Sequence, residues 1–244
     1  MRTHIGEVEG LYRYPVKSMR GESLAVAQVG WHGIAGDRRL ALHRVDDRGG
    51  FPWLTASRLP ELVCYSPLRR TPSDAELPSN VRTPAGTELT LFGDELAAEV
   101  SARHGAPVAM VHLNRGIFDE ASMSLIAHAT VEQIGRASSQ PPDVRRFRPN
   151  VALRTLDARP FIEEDWVGGV LTFGDAPDAA AVAVTNRDVR CAMVNIHPDS
   201  ARIDAEVLKA IVRLRANTAG VYATVTRCGS LVVGQPVFFE PSTM

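Results

Sequence analysis

The segment around Arg190 and Cys191 contains the residues best suited to chemistry in this chain. Cys191 directly follows an arginine, lies in an otherwise apolar run, and is followed by His197 and Pro198. A neighbouring guanidinium favours the thiolate, the form that attacks carbon or sulfur and ligates soft metals. Free cysteine is also among the most buried residue types, so core packing is the competing interpretation. The run predicts a strand that carries either a reactive thiol or a structural one.

A second group of candidates is basic. Five arginines lie between residues 136 and 154, where Asp143 is the single acid. Such a cluster is usually a solvated face. Arg148-Pro149-Asn150 is more specific, because the proline fixes the backbone and the flanking guanidinium and amide can point into one cavity. Arg148 and Asn150 are therefore candidate site residues.

The elements that must position these residues are short strands with few helices. Runs of apolar and β-branched residues predict strands at 5–14, 23–29, 39–45, 87–92, 108–113, 166–173, 179–185, 222–226 and 230–239, besides the Cys191 run. One helix is predicted from Asp94, as its cap, to a stop at Gly105, and another between Ile203 and Leu214 with Asp204 as cap. A capping box at 130–133 opens a third. This pattern predicts a mainly β, α+β protein built of barrels, not a parallel α/β sheet.

Composition narrows the class of protein. Lys and Arg total 27 against 28 Asp and Glu, a net charge of -1, which argues against nucleic-acid or membrane partners. The three cysteines are far apart and form no C-x-x-C pair, which argues against a disulfide scaffold, a zinc finger or an iron-sulfur cluster. The N-terminus has no apolar signal region. We expect a cytoplasmic protein.

A set of short motifs, in order from Leu11 to Val237, resembles the MOSC proteins. That family is named after the C-terminal domain of molybdenum cofactor sulfurase and includes the mitochondrial amidoxime-reducing component. The motifs are Tyr14-Pro15-Val16-Lys17-Ser18, Gly36-Asp37-Arg38, Phe147-Arg148-Pro149-Asn150, Arg190-Cys191 with Pro198-Asp199, and Val233-Gly234-Gln235-Pro236-Val237. The resemblance implies an N-terminal MOSC β-barrel domain at residues 1–115, packed on a MOSC domain at 116–244, with a molybdenum-pterin cofactor at their junction.

The resemblance also implies roles for individual residues. Cys191 matches the cysteine that ligates molybdenum in the reductase branch. The positions that match cofactor contacts are Lys17, Ser18, Arg38, Arg148, Asn150, Arg190 and Tyr222. His197 stands where the family usually has an acid; it is a candidate catalytic proton donor, or else only a turn residue before Pro198. The match is poor from Asp119 to Ser122, so no role is assigned there.

Two functions follow from the resemblance. The first is a molybdenum oxidoreductase that reduces small N-hydroxylated compounds with electrons from a separate flavin or iron-sulfur protein, since the chain has neither room nor cysteines for a fused ferredoxin-like module. The second is a transfer module without bound cofactor, in which Cys191 carries a persulfide from a pyridoxal-phosphate enzyme; the family is also associated with pyridoxal phosphate binding. A barrel adaptor with a structural cysteine is a third interpretation. Cys64 and Cys228 are expected to be replaceable.

Overall fold

The computed structural model describes residues 2–69 and 77–242. These residues form short strands and three α-helices, which confirms the predicted mainly β class. The strands are β1 (Thr3–Arg13), β2 (Glu22–Leu24), β3 (Val26–Gly30), β4 (Gly33–Ile34), β5 (Leu40–Arg44), β6 (Ser66–Leu68), β7 (Asn80–Arg82), β8 (Glu88–Thr90), β9 (Val108–His112), β10 (Met123–Ala127), β11 (Val151–Thr155), β12 (Val170–Phe173), β13 (Ala181–Val189), β14 (Thr218–Arg227), β15 (Gly229–Val232) and β16 (Pro236–Glu240). The helices are α1 (Asp94–His104), α2 (His128–Ser138) and α3 (Glu206–Arg215).

A closed seven-stranded barrel is the main body of the fold. Its strands follow the order β11-β10-β14-β13-β12-β16-β1, and pairing of β1 with β11 closes the ring. Within it β10 and β11 run parallel, and Leu125 of β10 lies opposite both Val151 and Val221. Alternate residues of each strand point inward, so Leu125, Val221 and Phe173 belong to one fully buried core. Closure leaves no free strand edge around this core.

The remaining strands form smaller sheets. Strand β5 pairs with β9, and β6, β7 and β8 form a second sheet; with α1 they enclose a separate core that includes Leu40, Leu54 and Tyr65. Strand β3 pairs with both β15 and β4, and its Val29 joins the barrel core. Strands β1 and β3 therefore pair with strands from beyond residue 116. The domain division at 115/116 stays a prediction.

The ends of the helices partly agree with the sequence. Gly105 ends α1 in the left-handed conformation, with φ 79°, as predicted. Asp94 is wrong as the cap of α1, because Gly93 holds that position and Asp94 is already in the first turn. Asp204 is wrong as the cap of α3; Ala205 precedes the helix, while the Asp204 carboxylate pairs with Arg146 at 2.8 Å.

The capping box at 130–133 is also wrong. Helix α2 begins two residues earlier, at His128, after Ala127. Thr130 lies inside the helix, where its hydroxyl accepts the Phe161 N–H and donates to Glu163, at 2.7 and 2.8 Å. A tertiary contact uses the oxygen that the local pattern assigned to a cap.

Several strand predictions change as well. The Cys191 run is not a strand: β13 ends at Val189, and a 3-10 helix spans Ala192–Asn195. The first part of the predicted strand at 166–173 is the end of another 3-10 helix, Ile162–Trp166. The predicted strand at 230–239 is divided by a turn at Gly234, which has φ 84°. The Pro, Ser and Asp residues between Pro67 and Pro78 predict an exposed connection, which falls mainly on residues 70–76, outside the described residues.

The helices of the described part are short. None of them is long and apolar enough to cross a membrane.

Candidate functional site

The predicted site residues meet at one end of the barrel. A cavity of about 480 Å³ opens there, between the loop after β1, the segment before β11 and the end of β13. Eight of the nine predicted residues line it, namely Lys17, Ser18, Arg38, Arg148, Asn150, Arg190, Cys191 and Tyr222. Residues more than 200 positions apart in sequence therefore share one wall because the barrel closes.

Asp37 organises one side of the cavity. Its carboxylate is 1 % exposed and accepts the Tyr14 N–H at 2.7 Å and the Asn150 side-chain amide at 3.0 Å. It also pairs with Arg38, whose second amino group donates to the Arg148 carbonyl at 2.9 Å. Burial opposes the charge on Arg38, but Asp37, together with Tyr14 and Asp119, outweighs burial and raises the guanidinium pKa. Arg38 and Asn150 therefore shape the wall with most of their hydrogen bonds already used.

Asp188 and Arg190 form a second buried pair, directly before Cys191. The Arg190 guanidinium donates to the carbonyls of Ala219 at 2.6 Å and Phe147 at 2.8 Å, and lies 2.9 Å from the Asp188 carboxylate. Ser124 donates to the same carboxylate at 3.0 Å. Burial raises the pKa of Asp188, although Arg190 opposes this. The arginine before the thiol thus holds the backbone of three segments together.

Lys17 and Arg148 are the cations with charge available to the cavity. Lys17 donates to Asp119 at 2.9 Å, and burial lowers the pKa of its amine although Asp119 opposes that effect. Arg148 donates to the Met19 carbonyl at 2.7 Å and lies 4.2 Å from the Tyr14 ring centroid. Burial lowers its pKa to about 10, so the group keeps its charge at neutral pH. Both side chains suit an anionic ligand.

Cys191 is exposed, so the core-packing interpretation of this cysteine is wrong. The extended backbone of Cys191 precedes the 3-10 helix, and the side chain belongs to the wall of the cavity. Tyr222, on β14, lines the same cavity. Burial, then the Asp188 carboxylate, raises the pKa of the Tyr222 phenol, so its hydroxyl stays protonated at neutral pH.

His197 lies apart from the other predicted residues and does not line the cavity. Its backbone exchanges hydrogen bonds with Arg202 and Ala201, and its Nδ1 accepts the Asp199 N–H at 3.2 Å. These contacts are those of a turn residue. The catalytic role of His197 stays a prediction.

Several residues of the site have no recognisable signal in the sequence. Asp37 stood inside a quoted motif and Asp188 inside the Cys191 run, but nothing local shows that either carboxylate is buried. Asp119 lies in the stretch that matched poorly, although it pairs with Lys17. Aromatic and apolar side chains complete the wall, including Phe51, Phe118, Val189 and Met193. Their contribution depends on chain folding and leaves no sequence signal.

Comparison with known families identifies both parts of the chain. The family model of the MOSC domain matches residues 101–238, and that of the MOSC N-terminal beta barrel domain matches residues 5–111. No curated protein sequence matches this chain.

One of the solved structures compared below shares the fold at low sequence identity. The YuaD protein from Bacillus subtilis is 15% identical with a TM-score of 0.54, over 100% of this chain and 99% of that one. YiiM from Geobacillus stearothermophilus is 19% identical with a TM-score of 0.35, over 49% and 54% of the two chains. YiiM from Escherichia coli is 13% identical with a TM-score of 0.36, over 50% and 55%. The likeness to YuaD supports the fold alone.

Proposed function

Because the chain belongs to the MOSC family, we propose that its cavity holds a molybdenum-pterin cofactor and that the protein reduces N-hydroxylated compounds. Membership of the MOSC family associates the chain with the molybdenum cofactor in general. The observation that carries the reductase proposal is an exposed thiol, Cys191, in the wall of a cavity lined with cations. Thiolate is a ligand that soft and borderline metals prefer.

The donor set fits the organic part of such a cofactor. Its phosphate is an anion; Arg148 offers charge to the cavity with no carboxylate partner in the described residues, and Lys17 is paired with the exposed Asp119. Ser18, in the same loop as Lys17, adds a hydroxyl. Arg38, Asn150 and Arg190 would fix the walls, because their own hydrogen bonds hold the surrounding segments.

Cys191 would be the one protein ligand of the metal. In the part of the chain that the structure describes, no three His, Cys, Asp or Glu side chains form a group able to hold a metal ion. The remaining ligands would therefore come from the cofactor and from small molecules. When bound, the cofactor supplies two-electron redox chemistry.

The chain itself would bind and orient the substrate. Phe51, Phe118 and Met193 offer apolar surface for a small molecule beside the thiol. The Tyr222 hydroxyl, protonated at neutral pH, interacts with the Asp188 carboxylate and would exchange that contact for a hydrogen bond to the N–O oxygen. Reduction of an N-hydroxyl group takes two electrons and two protons and releases water. The electrons would come from a separate flavin or iron-sulfur protein.

The test is to purify the protein from a host that makes the cofactor and to measure molybdenum and pterin. We expect both near one per chain, and reduction of an amidoxime when a chemical or protein donor is added. Cys191→Ser is expected to lose metal and turnover, whereas Cys228→Ser keeps both. Wild-type protein that binds no cofactor and shows no reduction would refute the proposal.

A sulfur-transfer role is the second candidate, and the same exposed thiol favours it. In this reading Cys191 accepts a sulfur atom as a persulfide from a pyridoxal-phosphate enzyme and passes it on. Mass spectrometry after incubation with a cysteine desulfurase separates the two functions. A stable mass gain of one sulfur on Cys191, in metal-free protein, supports transfer; an unmodified thiol excludes it.

A further inference from the structure

A second, smaller cavity lies beside the main one. It encloses about 170 Å³ between the segment after β1 and the loop after the 3-10 helix that follows Cys191. Arg146, Arg148 and Met193 line both cavities and separate them. The smaller cavity, of about 170 Å³, has room for an anion such as phosphate.

The charge of this second cavity is positive. Four arginines line it, and no carboxylate does so among the described residues. The arginines are Arg20, Arg145, Arg146 and Arg148. Arg20 and Arg145 share the exposed Asp199, at 2.7 and 2.6 Å, on the outer side of the cavity. Asp143, Asp199 and Asp204 balance part of this positive charge from outside the lining. An anion inside the cavity would therefore meet cations on several sides.

Two buried donors of the cavity have no partner in the described structure. The Tyr14 hydroxyl belongs to a side chain that is 2 % exposed, and the Nε of Arg146 is equally enclosed. Burial raises the pKa of the Tyr14 phenol above its usual value, although Arg148 and Arg38 oppose this, so the group stays an O–H donor. A buried donor without an acceptor costs free energy, which a bound acceptor would recover.

Arg148 brings a third donor group. Its Nη1 donates to the Met19 carbonyl, and no carboxylate pairs with it in the described part of the chain. Its guanidinium also lies over the Tyr14 ring, at 4.2 Å from the centroid, which places it next to the residue with the unpartnered hydroxyl. Tyr14, Arg146 and Arg148 thus bring N–H and O–H groups to a cavity that no carboxylate lines in the described residues.

From this donor set we infer that the second cavity is a binding site for a small phosphate-class oxyanion. Phosphate has several acceptor oxygens and a charge that matches converging guanidinium groups. The inference does not require either proposed function, although the second cavity shares Arg146 and Arg148 with the cavity beside Cys191. The anion is either free in solution or the phosphate end of a larger molecule.

Calorimetric titration with inorganic phosphate tests the site, and Tyr14→Phe is the decisive variant. It removes only a hydroxyl that has no protein partner, so the protein is expected to fold as before. Lys17→Met serves as the background, because Lys17 lines only the main cavity and its loss weakens phosphate binding there. In that background we expect one phosphate site, weakened about tenfold by Tyr14→Phe, which corresponds to about 1.4 kcal/mol.

Tyr65→Phe is the matched control. It also removes one phenol hydroxyl, bonded to Glu99 at 2.7 Å, but Tyr65 lines neither cavity. Phosphate affinity is expected to stay unchanged in this control. Loss of all phosphate binding in Lys17→Met, or equal affinity with and without the Tyr14 hydroxyl, would overturn the inference.

A direct measurement covers the case in which Lys17→Met does not fold. Wild-type crystals soaked in tungstate are expected to show an anomalous peak within hydrogen-bond reach of the Tyr14 Oη; peaks confined to the main cavity or to the protein surface would contradict the site. Comparing inorganic phosphate with phenyl phosphate then identifies the source. Tighter binding of inorganic phosphate indicates that the natural ligand is a free anion. Equal or tighter binding of phenyl phosphate indicates that it is the phosphate end of a larger molecule.

Discussion

Glu163→Gln should change how the stability of this protein depends on pH. Glu163 is 0 % exposed, in the 3-10 helix before β12. Its Oε2 accepts the Thr130 hydroxyl, its Oε1 is buried without a partner, and the backbone of Glu163 and Ala127 also contributes hydrogen bonds to the carboxylate. Burial raises the pKa of this carboxyl from 4.5 to about 7, against the smaller opposing effect of its hydrogen bonds. Glutamine has the same shape and an oxygen for Thr130, but it does not titrate.

The magnitude follows from linkage. The pKa of the folded state lies above that of the unfolded state, so between the two values the folded protein holds more protons. The free energy of unfolding therefore falls as pH rises from 4.5 through about 7. At about 1.4 kcal/mol per pH unit the total is about 3 kcal/mol, and most of it is lost between pH 5 and pH 8.

Urea unfolding at several pH values measures this effect. The unfolding free energy of the wild type minus that of Glu163→Gln should decrease by about 2 to 3 kcal/mol from pH 5 to pH 8. Glu61→Gln, an identical change at an exposed carboxylate, is the control and should give a constant difference. If the curves of wild type and Glu163→Gln run parallel over that range, Glu163 does not titrate as its burial requires.

Three further predictions concern the site. Cys191→Ser should keep the wild-type melting temperature and abolish metal-dependent turnover, because oxygen is a poorer soft-metal ligand than sulfur. Cys64→Ser should keep turnover. Equal losses of turnover in the two variants would indicate that both cysteines act through packing. Lys17→Met should weaken the binding of an anionic cofactor at least tenfold, measured by equilibrium dialysis, with little effect on folding. Unchanged cofactor affinity would exclude Lys17 as a contact. Gly220→Ala should lower the free energy of unfolding, measured by chemical denaturation, by about 1 to 3 kcal/mol. The reason is that φ is 81° and a Cβ would lie 2.7 Å from the Leu125 carbonyl oxygen. Gly234→Ala, at φ 84° but with open space around it, should lower it less.

The fold class was accessible from sequence because it rests on local features, whereas most of the candidate site residues were named by the family resemblance. Alternating apolar runs identify short strands, and the ordered motifs name residues that the structure does bring to one cavity. The stop of α1 was predicted correctly because Gly105 supplies a conformation that depends on one residue alone.

Other features depend on contacts between distant segments and were therefore missed. Thr130 looks like a cap, but Glu163 and Phe161 approach it from 30 residues away and use its hydroxyl. The fully buried strand β10 has no polar alternation to mark it. Sequence patterns show which side chains are apolar, but not which carboxylates the fold will enclose.

The two buried carboxylates of the site illustrate the same limit. Asp37 and Asp188 stand in sequence contexts typical of turns and strand ends, where an acid is usually solvated. Their partners Asn150 and Ser124 are more than 60 residues away. Only the closed barrel brings these pairs together, so their role in holding the cavity walls could not be predicted.

Closure of the barrel through β1 and β16 has a consequence for biosynthesis. Residues 3–7 of β1 pair with residues 236–239, so this part of β1 lacks its native partner on that side until nearly all of the described chain has left the ribosome. Pairing over such sequence distances makes folding slow, and an incomplete chain presents unpaired strand edges that favour aggregation. Nascent chains that stop before β16 should therefore depend on chaperones to stay unaggregated, and the cavity forms only after the last strand is in place.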